Sequence, residues 1–447
     1  MGKNSYWLKS GFYSMGYRLA VLIFGFGSFY FLIRYFTKAE FGAWALFISI
    51  TTIIEMSRNG LIQNAVIKLI HNSHPDEVGK IVLSSFIINI VYSALIYGVL
   101  AGFSGVISDM FHIADIGPMF VYYGITILLL IPFSQFNYIQ QSKFSFSGIF
   151  WSTVFRQGSF FLAVLTICML NIKITLIDLV LIQSGCTFLG LICAYFSARK
   201  YIQITFEWDG TIIKKVLSFG KYVMGTNISS LVFKTVDQFS VGYFLNTNIV
   251  ALYNSAIRVS NLIEYPSTSV AEVVYPQSAF RTSSEGDHAA KTLYEKSVGL
   301  TLALTLPVVL GTVILADYII FIIAGPEYHE AANILRVTIL YGIFTPFSRQ
   351  FGTVMDSSGR PNLNFILNFS SVFVNIASNY FFIQEYGMLG AAFGTLFSNI
   401  LMFIAGNIML RRIFKIELQQ VFYYMFFYYG VGFDFLQKKL KTKLQGR

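Results

Sequence analysis

Twelve apolar runs of roughly 20 residues recur along the chain, at 17–36, 41–62, 81–104, 117–137, 149–170, 175–198, 222–245, 249–275, 298–323, 333–354, 362–383 and 388–410. Each is long enough to cross about 30 Å of hydrocarbon as a helix rising 1.5 Å per residue. Inside lipid every backbone N–H and C=O needs an internal partner, which restricts a spanning chain to helices or a closed barrel. Barrel strands alternate apolar and polar residues over about ten positions, and these runs do not. The expected fold is all-α and integral to a membrane, with about 12 transmembrane helices. Composition agrees, because charged residues make up 12% of the chain against about 25% in a soluble domain.

The connections set the orientation. Lys and Arg accumulate on the cytoplasmic side of a membrane protein. With Lys3 and Lys9 placed inside, alternate connections carry Lys68 and Lys80, then Lys143, then Arg199, Lys200, Lys214, Lys215 and Lys221, then Arg281, Lys291 and Lys296, then Arg360, then Arg411, Arg412 and Lys415. The opposite set is nearly bare: 104–117, 246–248 and 384–387 hold no Lys or Arg, and only Arg34, Lys38, Lys173 and Arg336 interrupt the rule. The expected topology is therefore multi-pass with a cytoplasmic N-terminus. The formal net charge of +10 reports topology, and no nucleic-acid partner is needed to explain it.

Both ends of the chain call for comment. VFYYMFFYYGVGFDFL at 421–436 is apolar and aromatic, but KKLKTKLQGR follows it. A helix lying in the inner interface, with its lysines on anionic lipid, is expected there; the alternative is an extra crossing. The start, MGKNSYWLKSGFYSMGYR, lacks the short apolar core and small-residue site of a cleaved signal peptide. Tyr6 stands where a myristoylation motif has Ser or Thr. Cys168, Cys186 and Cys193 fall within predicted helices with no CxxC or Cys/His cluster, which reads as packing and calls for neither a metal nor a cofactor.

The chain also repeats itself. YFTKAEFGAWAL at 35–46 follows the first run and YFLNTNIVALYN at 243–254 follows the seventh, so a short outer hairpin leads into the next helix in both. Six runs lie in each half. Because six is even, both halves enter with the same orientation, the mark of a parallel repeat about an axis along the membrane normal. The expected domains are an N-terminal six-helix bundle at 1–198, a cytoplasmic linker at 199–221, a C-terminal six-helix bundle at 222–410 and a basic, aromatic tail at 411–447.

Charges inside the runs are the candidates for function. A charge at the bilayer centre costs about 3 kcal/mol on insertion scales, so such residues face a bundle interior or a watery cavity. Lys234 and Asp237 lie three residues apart near the middle of the seventh run, a spacing that lets them pair; they form either a self-neutralising structural pair or part of a transport path. The eighth run adds Arg258, Glu264 and Glu272, with Pro266 and Pro276 weakening its backbone ladder. The fifth run has Arg156 and the second has Glu55 and Arg58. Arg18 and Arg349 lie near inner ends, where long cationic side chains snorkel to headgroups. Arg156, Lys234, Arg258 and Arg58 in one cavity would give it a positive field suited to a phosphate. Asp237, Glu264, Glu272 and Glu55 could bind protons or sodium.

Several stretches carry a family resemblance. They are YFTKAEFGAWALF, then DQFSVGYFLNTNIVALYNSAIRVSNLIEYPSTSVAEVVYPQSA, then DSSGRPNLNFILNFSSVFVNIASNYFFIQEYGMLGAAFGTLFSN. Together they resemble the polysaccharide transporter branch of the multidrug/oligosaccharidyl-lipid/polysaccharide exporter superfamily. The most specific pieces are Asp237, Gly242, Phe244, Leu245, Val250, Ala251 and Tyr253, and the YGMLGAAFGT turn, where Gly387 and Gly390 permit a tight reversal. The resemblance implies a flippase for undecaprenyl-pyrophosphate-linked oligosaccharides of O-antigen or capsule, in a bacterial inner membrane and not an enzyme. Its partners would be that lipid-linked substrate, membrane lipid, H+ or Na+, and the polysaccharide polymerase machinery. Arg156, Lys234 and Arg258 would then contact phosphate. A multidrug exporter of the same superfamily would want acids in its N-terminal half, where only Glu55 is deep. A polymerase or ligase would want catalytic residues in a large outer loop, where only Asp109, His112 and Asp115 are on offer.

Overall fold

The computed structural model describes residues 3–74, 77–143, 145–202, 207, 209–271, 274, 278 and 287–445. Among these, regular structure is entirely helical. The helices are α1 (Lys3–Tyr35), α2 (Lys38–Asn72), α3 (Val78–Gly102), α4 (Ser104–Phe111), α5 (Ile116–Ser142), α6 (Phe146–Leu170), α7 (Leu176–Ala198), α8 (Gly210–Phe244) and α9 (Thr247–Ser260). They continue with α10 (264–271), α11 (Asp287–Ala324), α12 (Ala331–Thr338), α13 (Tyr341–Ser357), α14 (Pro361–Tyr386), α15 (Met388–Phe414) and α16 (Leu418–Gln445). Nine helices among the described residues are long and apolar enough to cross a membrane. The chain is a multi-pass, all-α membrane protein.

Local chemistry explains where helices begin and end. The Thr37 hydroxyl accepts from the Glu40 N–H at 3.3 Å while the Thr37 N–H donates to the Glu40 carboxylate at 2.9 Å, a reciprocal cap for two of the four orphan donors of α2. Thr175 and Asp178 do the same for α7. Between α8 and α9, Asn246 Oδ1 accepts from the Ile249 N–H at 3.1 Å. The hairpins α1–α2 and α8–α9 are built alike, each with an edge-to-face aromatic pair at the turn. Tyr35 and Phe36 have centroids 5.0 Å apart, and Tyr243 and Phe244 4.9 Å. The α14–α15 turn needs its glycines: Gly387 has φ 56° and ψ −127°, and a Cβ on Gly390 would stand 2.0 Å from the Phe382 carbonyl oxygen.

The chain divides into two compact units, 1–232 with 246–251, and 233–245 with 252–447. The expected boundary at 222 therefore falls inside the first unit. Part of the expected linker is helix, since α8 already begins at Gly210. In the first unit Leu61, Ile62 and Val66 of α2 pack with Ile81 and Val82 of α3, Tyr138 and Ile139 of α5 and Val216 of α8. In the second, Tyr294, Val298 and Leu302 of α11 meet Phe347, Phe351 and Val354 of α13, with Leu410 and Phe414 of α15. Polar side chains bond between helices within the packed interior. The Asn89 amide of α3 donates to Ser134 of α5 at 3.0 Å, and Thr126 of α5 bonds Ser184 of α7 at 2.7 Å. The outward faces are apolar, with Met169, Ile314 and Tyr318 at least 70% exposed, as lipid requires and water would not permit.

Two expected spans are broken. The span at 249–275 passes through a tighter 3-10 turn at Asn261–Ile263. Pro266 follows, and its ring crowds the carbonyl four residues back, that of Leu262. The span at 333–354 is split into α12 and α13 by a turn at 339–340, where the N–H groups of Leu340, Gly342 and Ile343 bond three residues back instead of four. Pro346 inside α13 has no N–H to give the Gly342 carbonyl, which leaves the break unopposed.

The first part of the C-terminal segment packs against α11. Lys291 Nζ of α11 reaches Glu417 at 2.7 Å, and Glu295 accepts the Glu417 N–H at 2.9 Å. One turn on, Gly299 of α11 lies so close to α16 that a Cβ would stand 2.9 Å from the Val421 carbonyl oxygen and 3.0 Å from the Met425 nitrogen. The two helices advance in step and in the same direction, so as far as Met425 α16 lies along α11.

Candidate functional site

Two charge clusters stand out, one in each unit. In the first unit Glu55 of α2 receives two donors. Arg156 Nη2 of α6 lies 3.3 Å from Oε1 and 3.4 Å from Oε2, and the Tyr123 hydroxyl of α5 donates to Oε1 at 3.0 Å. Tyr123 is fully buried, and the Arg156 and Glu55 side chains are only 16% and 23% exposed. The Arg156 guanidinium also stands 5.4 Å from the Phe133 ring. One turn along α2 from Glu55, Arg58 is 4% exposed, within electrostatic reach of the same carboxylate. Its Nε has no hydrogen-bond partner among the described residues. Two guanidinium groups thus face one carboxylate in a region of low dielectric, leaving a surplus positive charge that an anion would relieve.

Arg156 is held there by packing. A Cβ on Gly190 of α7 would lie 2.7 Å from the Arg156 Cβ. Only a residue without a side chain lets α7 come this close behind it.

In the second unit the expected Lys234–Asp237 pair does not form. Lys234 donates to Glu264 of α10 at 2.6 Å, and its side chain is 46% exposed. Arg349 of α13 continues this polar strip, donating to Thr268 at 2.8 Å. Asp237, three residues along α8, turns into the bundle and is 3% exposed. Its Oδ1 accepts from Thr395 of α15 at 2.7 Å and from the amides of Asn379 and Asn375 of α14 at 3.3 and 3.4 Å. Its Oδ2 accepts from the Tyr253 hydroxyl at 2.5 Å. The i, i+3 spacing allowed a pair, but four converging donors inside the bundle outweigh one lysine at its edge.

Asparagine oxygens complete this nest. Asn375 Oδ1 accepts from Asn379 at 2.8 Å and lies 3.0 Å from the Thr395 hydroxyl, while the buried Asn379 Oδ1 has no partner among the described residues. The Asp237 carboxylate, the Thr395 hydroxyl and the unpartnered Asn379 amide oxygen are thus brought together inside the bundle. No group of three or more His, Cys, Asp or Glu fit to hold a metal occurs among the described residues.

Arg58, Glu55 and Arg156 are thus brought together in the first unit, and Lys234 and Glu264 in the second. Arg258 is half-buried on α9. Glu272 lies outside the described residues. Sequence reasoning named Tyr253 as part of the family pattern without a place in the site, and missed Tyr123, Asn375, Asn379 and Thr395. The signal for the asparagines was present: Asn375 and Asn379 stand four apart within an apolar run, on one helical face.

A family model described as "Polysaccharide biosynthesis protein" matches residues 31–333. From Haloferax volcanii, the "Probable low-salt glycan biosynthesis flippase Agl15" is 24% identical over 185 residues, 41% of this chain and 39% of that protein. The chain spans about two-fifths of the length of the archaeal relatives it matches. The "Teichuronic acid biosynthesis protein TuaB" of Bacillus subtilis is 22% identical over 343 residues, 75% of this chain and 69% of that one. Among solved structures, the inward closed conformation of the lipid II flippase MurJ superimposes with a TM-score of 0.75 at 16% identity, over 93% of this chain and 90% of that chain. At this identity the likeness is one of fold.

Proposed function

The chain belongs to the polysaccharide biosynthesis protein family, and from that premise we propose that it is a flippase for lipid-linked oligosaccharide repeat units. It moves undecaprenyl-pyrophosphate-linked units from the cytoplasmic to the outer leaflet of a bacterial inner membrane by alternating access, for O-antigen, capsule or another surface polysaccharide. Its N-terminus is cytoplasmic. The observation that carries this reading is the surplus positive charge of Arg58 and Arg156 around Glu55. A pyrophosphate is the part of such a substrate that cannot enter lipid unaided, and buried guanidinium groups recognise phosphate through paired N–H donors. In the resting state Glu55 keeps Arg156 in place, and the substrate phosphate competes for it. Lys234 and Arg258 supply further cationic contacts.

The same proposal gives the second cluster a task. Asp237, Asn375, Asn379 and Thr395 bind a coupling sodium ion, or Asp237 takes a proton, while Glu264 balances Lys234. Flipped units pass to the polysaccharide polymerase machinery.

The test is the sidedness of lipid-linked oligosaccharide in cells lacking the protein, with rescue by wild type, Arg58→Ala and Arg156→Ala. The expected result is that completed units accumulate facing the cytoplasm and that only wild type clears them. Absence of accumulation would overturn the flippase reading, and clearance by both variants would remove the two arginines from the substrate path. Transport that survives collapse of both ion gradients would overturn the coupling role of Asp237.

A further inference from the structure

A cleft of about 340 Å3 opens between the start of α6 and the end of α7. Ser145, Ser147 and Trp151 line one side, and Phe196, Arg199 and Lys200 the other. Among the described residues, its lining contains two cations and no carboxylate. Gly148, also in the wall, leaves room for the buried Gln140 behind it, whose Oε1 would stand 1.7 Å from a Cβ there. That oxygen has no hydrogen-bond partner among the described residues. The Arg199 guanidinium stands 5.6 Å from the Phe196 ring and the Lys200 ammonium 4.8 Å from the Tyr201 ring. Both cations are thereby held near aromatic faces at the level where aromatic and basic residues meet lipid headgroups.

The surface that continues from the cleft is apolar. On α6, Trp151 and Phe155 are about half exposed, and on α7 Phe196, Ile192, Leu189 and Phe188 are exposed as well. α6 and α7 pack against one another, so these side chains lead from the charged cleft along the helix pair toward the membrane interior. A soluble anion would use the charged end alone. A phospholipid uses both, its phosphate between Arg199, Lys200 and the serine hydroxyls, its acyl chain along the apolar side chains.

We propose that this cleft is a binding site for the headgroup of an anionic phospholipid, from the leaflet on the side where the Lys143 and Arg199–Lys200 connections lie. Its lining shares no residue with the charge clusters given to substrate and coupling ion. Basic connections attract anionic lipid diffusely, by about 1 kcal/mol per charge near the surface. The site predicts more: a stoichiometric lipid whose chain touches Trp151.

The experiment uses the full chain reconstituted in phosphatidylcholine vesicles with phosphatidylglycerol brominated on its acyl chains. Quenching of Trp151 is isolated by subtracting the Trp151→Phe variant. Trp151 should be quenched at low mole fractions of brominated phosphatidylglycerol and weakly by brominated phosphatidylcholine. The R199Q/K200Q double variant should lose this preference by more than the roughly 30-fold in lipid fraction that two charges lose through diffuse attraction alone. The charge-preserving R199K/K200R variant should keep it, which excludes misfolding as the cause of the loss. The control K214Q/K215Q removes two exposed cations on α8 and should leave the preference intact. Equal quenching by the two lipids, or equal loss in the control, would overturn the proposal. So would displacement by equimolar polyprenyl pyrophosphate, which would assign the cleft to substrate.

Discussion

Replacing Arg156 by leucine should destabilise the first unit by about 2–4 kcal/mol, and replacing Glu55 by glutamine in the same chain should return most of that loss. At 3.3 Å and an effective dielectric of 20, the attraction between the two charges is about 5 kcal/mol. Desolvation offsets part of this, yet removing one partner of a buried pair still costs about 3–5 kcal/mol because the other charge is stranded. Here the stranded Glu55 keeps the Tyr123 hydroxyl at 3.0 Å and the field of Arg58, which lowers the cost toward the bottom of that range. Glu55→Gln alone leaves Arg156 and Arg58 facing one another without their counterion and should cost about 1–3 kcal/mol. The assay is thermal or denaturant unfolding of the four proteins of the cycle in one detergent, with pyrophosphate added in a second series. The coupling energy should exceed about 1.5 kcal/mol, and pyrophosphate should stabilise Glu55→Gln more than wild type, because it meets cations no longer neutralised. Additive single variants would refute the pair as the structural keystone of α2 and α6. Equal stabilisation of all four proteins by pyrophosphate would refute competition for Arg156.

Three further outcomes follow from the geometry. Asp237→Ala removes the charged acceptor shared by Tyr253 and Thr395 and should cost about 2–4 kcal/mol. Asp237→Asn should cost about 1 kcal/mol and should abolish any sodium-dependent rise in Tm, measured by titrating sodium against potassium at fixed ionic strength. Gly387→Ala, at φ 56° and ψ −127°, should lower stability by about 1–3 kcal/mol through backbone strain alone, whereas Gly185→Ala, inside α7 with open space around it, should raise it by up to about 1 kcal/mol. The Lys291 ammonium holds the Glu417 carboxyl below its ordinary 4.5. A lowered folded value means that its contribution is complete above that ordinary value and is lost as pH falls through the lower one. Wild type should therefore lose more Tm than Glu417→Gln between about pH 5 and pH 3; parallel curves would dismiss the contact.

A helical membrane protein is legible from the runs alone, because their length and apolarity leave few other ways to satisfy the backbone in lipid. The sequence also determined the repeated hairpin at Tyr35–Phe36 and Tyr243–Phe244, since capping is local chemistry, and it singled out the charges worth following. Tertiary structure decided which charges meet. Lys234 and Asp237 share a spacing that permits a pair, yet Asp237 is claimed by Tyr253, Asn375, Asn379 and Thr395, residues 16 to 158 positions away. Glu55 and Arg156 are 101 positions apart, and nothing along the chain announces that α2 and α6 will bring them together. The same holds for α16, whose place beside α11 depends on a glycine at 299 that reads as one small residue among many. In lipid both faces of a helix are apolar, so periodicity does not tell which face turns inward, and the partners of each buried polar group are chosen only when the helices pack.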